Sequence, residues 1–595
     1  MLLAMKQDMS VLRASGVIAL MIAMTGCASS ARAPRSDTTE PARPVVSSEP
    51  TSSNNIQLMI SRYREDRDSI SRFFNITWSE NRMARLDALA AAQLDDLSQV
   101  DFGTLDQAAK VDVIAFRNYL RNSRSYGALE KSRMAEMSPL MPFRSQIVEL
   151  EESRWRMERA DPKTAAEKIE DIAKLAKDAK AAIERKEGVP SASTALRLAG
   201  AVQGLRWNLS QFVEYSEGYV PEFSWWVKKP WENANAALND YAKYLRENIA
   251  GQKGNADDPL VGDPIGRATL MEDLKNEMVV YTPEELIAIG DREFAWCEAE
   301  MKKASAEMGF GDDWKRALES VKDGHVPPGG QADMVSAKSK AAIAFVKEHD
   351  LVTVPPLAEE LWRLQMLSPQ GQKTLPFAAY GDQAMLVAYP TDDMSTADKL
   401  MAMRGNNKHF LHIVVPHELI PGHHLQHFVA ERNRPYRGIF STPFYVEGWA
   451  LYWEFKLWDM GWGTTPQDRI GMLFWRMHRC ARIMVSLKYH LGEMTPPQMI
   501  DFLVDRVGHE RQNATAEVRR FIGGAYSPLY QCGYMIGGKA LRRLHEEAVK
   551  SGKMGEKAFN DAVLQGNSIP IELVRSGILG TDLDWTSEAA WRFAD

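Results

Sequence analysis

From Ile56 onward, apolar residues recur at the three-and-four spacing of a helix face, and alternating strand patterns are scarce. A chain with that period must bury helix against helix, so the expected fold class is mostly α. The stretch Asp161 to Lys186 is the plainest case. Asp161 can cap it, Pro162 can take the first helical position, and Ile169, Ile172, Leu175 and Ala176 fall on one face. Similar patterns run through 233–250, 283–308, 334–348 and 535–550. The best strand signal is LPFAAYGDQAMLVAY at 375–389, where two short apolar runs flank Gly381-Asp382 and predict a hairpin in one small β-sheet.

At 595 residues and 45% hydrophobic content, the chain can bury a core large enough for two lobes sharing a cleft. The Pro/Gly-rich segment 325–331 predicts a boundary between an N-terminal helical lobe, 56–330, and a catalytic region, 331–595; one body with a deep cleft satisfies the same pattern. Lys6 and Arg13, a short apolar run from Gly16 to Met24 and small residues after it read as a signal peptide over 1–26. Met24-Thr25-Gly26-Cys27 resembles the bacterial lipoprotein signal, which implies that Cys27 is lipidated and becomes the new N-terminus. Residues 27–55, rich in Ser, Thr, Pro and Ala, read as a disordered tether. No Asp follows Cys27 in the manner of an inner-membrane retention signal, so the expected location is the periplasmic face of the outer membrane of a diderm bacterium. With a net charge of −7 and no basic run, nucleic acid is not an expected partner.

Six of the twelve histidines lie between 409 and 427: His409, His412, His417, His423, His424 and His427. The four cysteines include no C-x-x-C pair, which argues against a thiolate zinc site. Within the cluster stands His417-Glu418, followed by Leu419-Ile420-Pro421-Gly422-His423. In the helical zinc motif H-E-x-x-H, residues i and i+4 share a face, so both imidazoles reach one metal while the Glu addresses its water. Here proline occupies the i+4 position. On a straight helix His423 would point about 120° away from His417. Pro421 has no N–H for the carbonyl of His417, and Gly422 tolerates unusual dihedrals. The pair predicts a bulge that loops out two residues and returns His423 to the metal, with His424 as the rival ligand. The third ligand predicted is Glu447, a carboxylate among Phe444, Val446, Trp449 and Ala450, which is costly to bury unless paired or bound to metal. Glu454, seven residues further on the same face, is expected to orient a ligand histidine. His409, His412, His427 and His478 are expected to pack or face solvent.

The run HELIPGHHLQ, followed by VEGWALYWE, resembles the signature of the family called domain of unknown function 885, across about 57–590. The resemblance implies a zincin-like metallopeptidase related to the helical peptidases typified by thimet oligopeptidase and angiotensin-converting enzyme. It implies a deep cleft, one Zn2+ per chain and short peptides as substrates. In those enzymes the third ligand is a Glu about 25 residues beyond the second His, and here the interval from His423 to Glu447 is 24. On that reading Glu418 is the general base. Ser527 to Gly537 resembles a family segment in which a tyrosine stabilises the oxyanion, Tyr534 matching better than Tyr530. The stretch MHRCARIMVSLKYH resembles another, so that Arg479 or Arg482 would hold a peptide carboxylate and His490 would serve the oxyanion. Two other functions fit the same residues: a metal-dependent hydrolase of a non-peptide amide or cell-wall fragment, and a non-catalytic zinc-binding lipoprotein. The intact Glu418 argues against the last, because a structural site needs no base.

Overall fold

The computed structural model of the protein describes residues 53–594 apart from 255–257, 373–374, 382, 393 and 525. The signal peptide, Cys27 and all but the last residues of the expected tether lie outside the described residues. The first helix, Ser53–Phe73, begins where the tether was expected to end. Helices dominate, at the places the period predicts. Asp161 accepts the N–H of Thr164 and caps Pro162–Glu184, which buries Ile169, Ile172, Ala173 and Ala176. Patterns at 283–308 and 334–348 become Pro283–Glu307 and Gln331–Glu348.

The expected hairpin forms as β2 (Ala378–Gly381) and β3 (Ala384–Val387), antiparallel with Ala378 opposite Val387. A further strand, β1 (Arg363–Met366), pairs parallel with β3, so the sheet order is β1-β3-β2. β1 escapes a sequence reading because RLQM is four residues long and three of them are exposed, leaving no buried alternation to see.

Buried side chains fall into two clusters. One is built by helices between Arg144 and Tyr244, with Ile169, Leu198, Leu209 and Leu238 at its centre. The other gathers 56–120 together with 270–594. Leu286, Ile289 and Phe294 of the Pro283–Glu307 helix share that second core with Ile470, Leu473 and Ile483 of Pro466–His490. The core is therefore not parted at 325–331, where a boundary was expected; residues on both sides of that loop bury into one cluster. Among the described residues no helix is long and apolar enough to cross a membrane.

The helices Pro443–Asp459 and Tyr530–His545 pack backbone against backbone. Their backbones meet at Gly448 and Gly537: a Cβ on Gly537 would lie 2.8 Å from the Gly448 Cα and closer still to the Phe444 carbonyl oxygen. Only residues without a side chain allow that approach, and it sets Glu447 opposite Tyr530. Gly537→Ala should therefore lower stability by about 1–3 kcal/mol through overpacking. Gly577→Ala, in a helix where an added Cβ meets nothing within 4 Å, should be neutral or stabilising. Thermal unfolding of both variants checks this; equal melting temperatures would mean the helices can part without loss.

Candidate metal centre

The helix Leu411–Glu418 carries Pro416 inside it, which deprives the His412 carbonyl of its usual donor. Trp462 Nε1 supplies the missing hydrogen bond at 3.0 Å. Beyond Glu418 the chain does not bulge and continue, as predicted; it stops and restarts. Leu419 (φ −105°, ψ −110°) and Gly422 (φ −78°, ψ −133°) leave the helical region, the Ile420–Pro421 peptide is cis, and a new helix runs from His423 to Ala430. Gly422 N–H donates to the Pro416 carbonyl at 2.9 Å, and Trp449 Nε1 donates to the Pro421 carbonyl at 2.9 Å. A Cβ on Gly422 would fall 1.8 Å from the His417 carbonyl oxygen, so the turn closes only with glycine. Pro421 and Gly422 thus act as the sequence implies, but through a full break between two helices.

The break brings His417 and His423 together, with ring centroids 4.9 Å apart and planes at 87°. Ligand atoms of His417, Glu418 and His423 all lie within 4.8 Å of one another, and all three residues are buried. Glu447 completes the group: its Oε2 is 3.1 Å from His423 Nε2 and 3.8 Å from His417 Nε2. The outer face of each imidazole is occupied. Gln426, fixed by its amide N–H on the Tyr445 carbonyl at 3.3 Å, turns its oxygen to His423 Nδ1 at 3.4 Å. His417 Nδ1 lies 2.7 Å from Glu454 Oε1, an ion-pair contact whose geometry is not that of an aligned hydrogen bond. Glu454 in turn receives Arg479 Nη2 at 3.3 Å. Both rings therefore present Nε2 inward beside the Glu447 carboxylate. Two imidazole nitrogens and one carboxylate oxygen form a donor set that fits zinc, with outer partners of the kind that fix ligand orientation.

Electrostatics follow from burial. Burial disfavours charge on His417, yet Glu447, Glu454 and Glu418 outweigh it and hold the ring up at about 9. Burial would raise Glu447, but His423 and His417 keep it well below the usual carboxylate range. For Glu454, burial is likewise overcome, here by Arg479 and then His417. Tyr530 donates its hydroxyl to Glu447 Oε1 in a short hydrogen bond.

His417, Glu418, His423, Glu447 and Tyr530 line a cavity of about 340 Å³. The Tyr534 ring lies parallel to His417, centroids 6.3 Å apart at 10°, and its hydroxyl accepts Arg520 Nη2 at 3.4 Å, leaving its own proton to give. Arg479 and Arg482 stand over the same ring at 4.9 and 4.3 Å. Arg482 is held by Glu517 (Nη2 to Oε2, 2.8 Å) and by His478 Nε2, which accepts its Nε–H at 3.0 Å. Burial and the neighbouring Arg482 push His478 down to about 3, so it is the neutral acceptor this contact requires.

Sequence reasoning missed Arg520, Glu517, Tyr380 and the cavity-facing position of His427. The last two form one wall, their rings stacked at 5.3 Å. For His427 the signal was its place one turn beyond His423 on the same helix face. Two expected residues are elsewhere. His490 is eleven residues past Arg479 on its helix, about 16 Å along the axis, and does not line the cavity. It packs beside Tyr489 with burial pushing it down to about 4. His424 turns away from His417 and Glu447: Nε2 donates to the Ala358 carbonyl at 2.8 Å and Nδ1 accepts the Tyr380 hydroxyl at 3.2 Å. His409 pairs with Asp468 at 2.8 Å, and His412 stacks on Trp462 at 4.8 Å.

Two solved structures share this architecture. A candidate lipoprotein of unknown function from Shewanella oneidensis superposes with a TM-score of 0.64 at 18% identity, covering 88% of this chain and 99% of that one. A candidate lipoprotein from Colwellia psychrerythraea gives 0.55 at 15% identity, covering 89% and 99%. At those identities the likeness is one of fold. No curated protein matches the sequence. The family profile described as bacterial protein of unknown function (DUF885) matches residues 75–578, more than half of the chain, and the protein belongs to that family.

Proposed function

We propose that this protein is a zinc-dependent peptidase of the helical zincin type, acting on short peptides. The observation that carries the reading is the convergence of His417, Glu418 and His423 within 4.8 Å, with Glu447 beside both histidines. His417, His423 and Glu447 would hold the ion. Zinc bound there supplies a Lewis acid that polarises an amide carbonyl and lowers the pKa of water to about 7. Glu418 accepts the proton of the attacking water and returns it to the leaving amine. Tyr534, whose hydroxyl proton is not committed to an acceptor, faces the oxyanion as it develops. Glu454 and Arg479 hold the His417 ring in place from behind. A structural zinc site would need none of this: a carboxylate at Glu418 with no part in holding the ion is a base waiting for water.

The N-terminal pattern at Cys27 and the two structural relatives described as candidate lipoproteins support a lipid anchor, which we place on the periplasmic face of the outer membrane. Cys27→Ser should move the protein from the membrane fraction to the soluble fraction; unchanged fractionation would locate the anchor elsewhere.

Protein purified without chelator should contain one zinc per chain by elemental analysis and should cut a mixed peptide library read by mass spectrometry, with muropeptides run alongside. Glu418→Gln should keep its zinc and lose turnover by about 10²–10⁴-fold. Glu447→Gln and His423→Ala should lose metal and activity together. His424→Ala should retain the metal, since both of its ring nitrogens are engaged by Ala358 and Tyr380. Full hydrolysis by Glu418→Gln would rule out the zincin chemistry, and metal loss in His424→Ala alone would reassign the second ligand.

A further inference from the structure

The cavity is electrically divided. Its lining contains Glu418 and Glu447 with the two histidines, and a second group of Arg479, Arg482 and Arg520 around Glu517. Arg479 is neutralised by Glu454 at 3.3 Å. The remaining two arginines share one carboxylate, Glu517, and share it unequally: Arg482 Nη2 sits 2.8 Å from it, whereas Arg520 Nη1 is at 3.8 Å. His478, the other group against Glu517, is the neutral acceptor described above and adds no charge. One guanidinium charge in this wall is therefore uncompensated, and it resides chiefly on Arg520. That side chain is only 10% exposed. Its polar contacts are the distant Glu517 and the 3.4 Å bond to Tyr534, and its Nε has no hydrogen-bond partner; nor has Arg482 Nη1. A buried cation that only shares a distant counter-ion is costly, and a cavity that keeps one is suited to an anionic guest. A guanidinium offers paired, coplanar donors that match a carboxylate.

Resting on the peptidase reading above, we propose that Arg520, with Arg482 beside it, seats a carboxylate of the substrate, foremost the free C-terminus of a short peptide. Geometry limits where the chain is then cut. Tyr534 touches both groups, its ring stacked on His417 and its hydroxyl accepting from Arg520. The carboxylate seat is thus one hydrogen bond from the proposed oxyanion donor, within reach of a chain of one or two extended residues at roughly 3.3–3.6 Å each. Cleavage falls next to the C-terminus, and long chains without an end in the cavity are poor substrates. The flanking rings of Tyr526 and Tyr534, over which Arg520 and Arg482 lie at 4.7 and 4.3 Å, keep both guanidinium planes oriented.

The test uses three versions of one peptide: free acid, C-terminal amide, and an amide with Glu as the last residue. Turnover is measured with the wild type, and binding is measured by calorimetry with Glu418→Gln. The free acid should be favoured over the plain amide by about ten- to a hundredfold in both kcat/KM and Kd. Recovery with the Glu-containing amide would show that a side-chain carboxylate can occupy the same seat. Arg520→Gln, with zinc content verified, should shrink the preference by at least about tenfold, and Arg520→Lys should restore part of it. The wild-type comparison stands even if Arg520→Gln does not fold. Equal handling of acid and amide, or an undiminished preference in Arg520→Gln, overturns the carboxylate seat while leaving hydrolysis intact. Selective binding of the free acid with no turnover of any peptide overturns the peptidase reading and leaves the seat standing.

Discussion

A carboxylate buried at the heart of an aromatic helix is the constraint around which this molecule is organised. Glu447 lies on Pro443–Asp459 among Phe444, Trp449, Ala450 and Leu451, all buried. Desolvating a carboxylate there is tolerable only if positive or hydrogen-bonding partners surround it. Three other segments supply them: His417 from the helix before the break, His423 from the helix after it, and Tyr530 from the helix Tyr530–His545. Each partner requires a particular backbone feature. His423 reaches Glu447 because the chain turns through Leu419 to Gly422, and Tyr530 does so because Gly448 and Gly537 let two helices touch. The glycines are thus as much a part of the site as the side chains that would hold the ion.

A second buried carboxylate repeats the logic one layer out. Glu454 lies two turns along the same helix and joins His417 to Arg479, so the ring that would face the proposed ion is steadied from its other side. Arg479 also lies over Tyr534, which lines the cavity. The proposed ligands, the proposed oxyanion donor and the arginine wall are therefore one connected network. Disturbing one member should be felt as a shift in the others, which is the behaviour expected of groups in shared contact.

Much of this was legible in the sequence, and the reasons are specific. Helices announced themselves because one face of each is apolar at a regular period, and the hairpin did so because β3 is a buried run between turn residues. His417, Glu418 and His423 stood out because histidines crowd a short stretch around an acidic residue. Glu447 stood out because a charge in an apolar run needs an explanation. Arg520 and Glu517 did not, because both sit in an amphipathic helix where Arg519 is next in sequence; nothing in the spacing of ATAEVRRFI tells an inward charge from an outward one until the helix is packed. His490 misled for the opposite reason. It shares a helix with Arg479, but distance along the axis, not membership of the element, decides what reaches the cavity.

His424 shows how tightly the break is specified. It follows the proposed ligand directly, yet a helix turns about 100° per residue, so adjacent imidazoles cannot address one ion. The first residue of the new helix faces Glu447 and the second faces the sheet, where β2 supplies Tyr380 and the Pro356–Leu361 helix supplies a carbonyl. Had the chain restarted one residue later, the roles would exchange and the Tyr380 hydroxyl would lose its contact with His424. Gly422 bars that slip, because any side chain there would strike the His417 carbonyl. The consecutive histidines therefore divide the labour: one is presented to the cavity, and the other ties the small sheet to the helix that presents it.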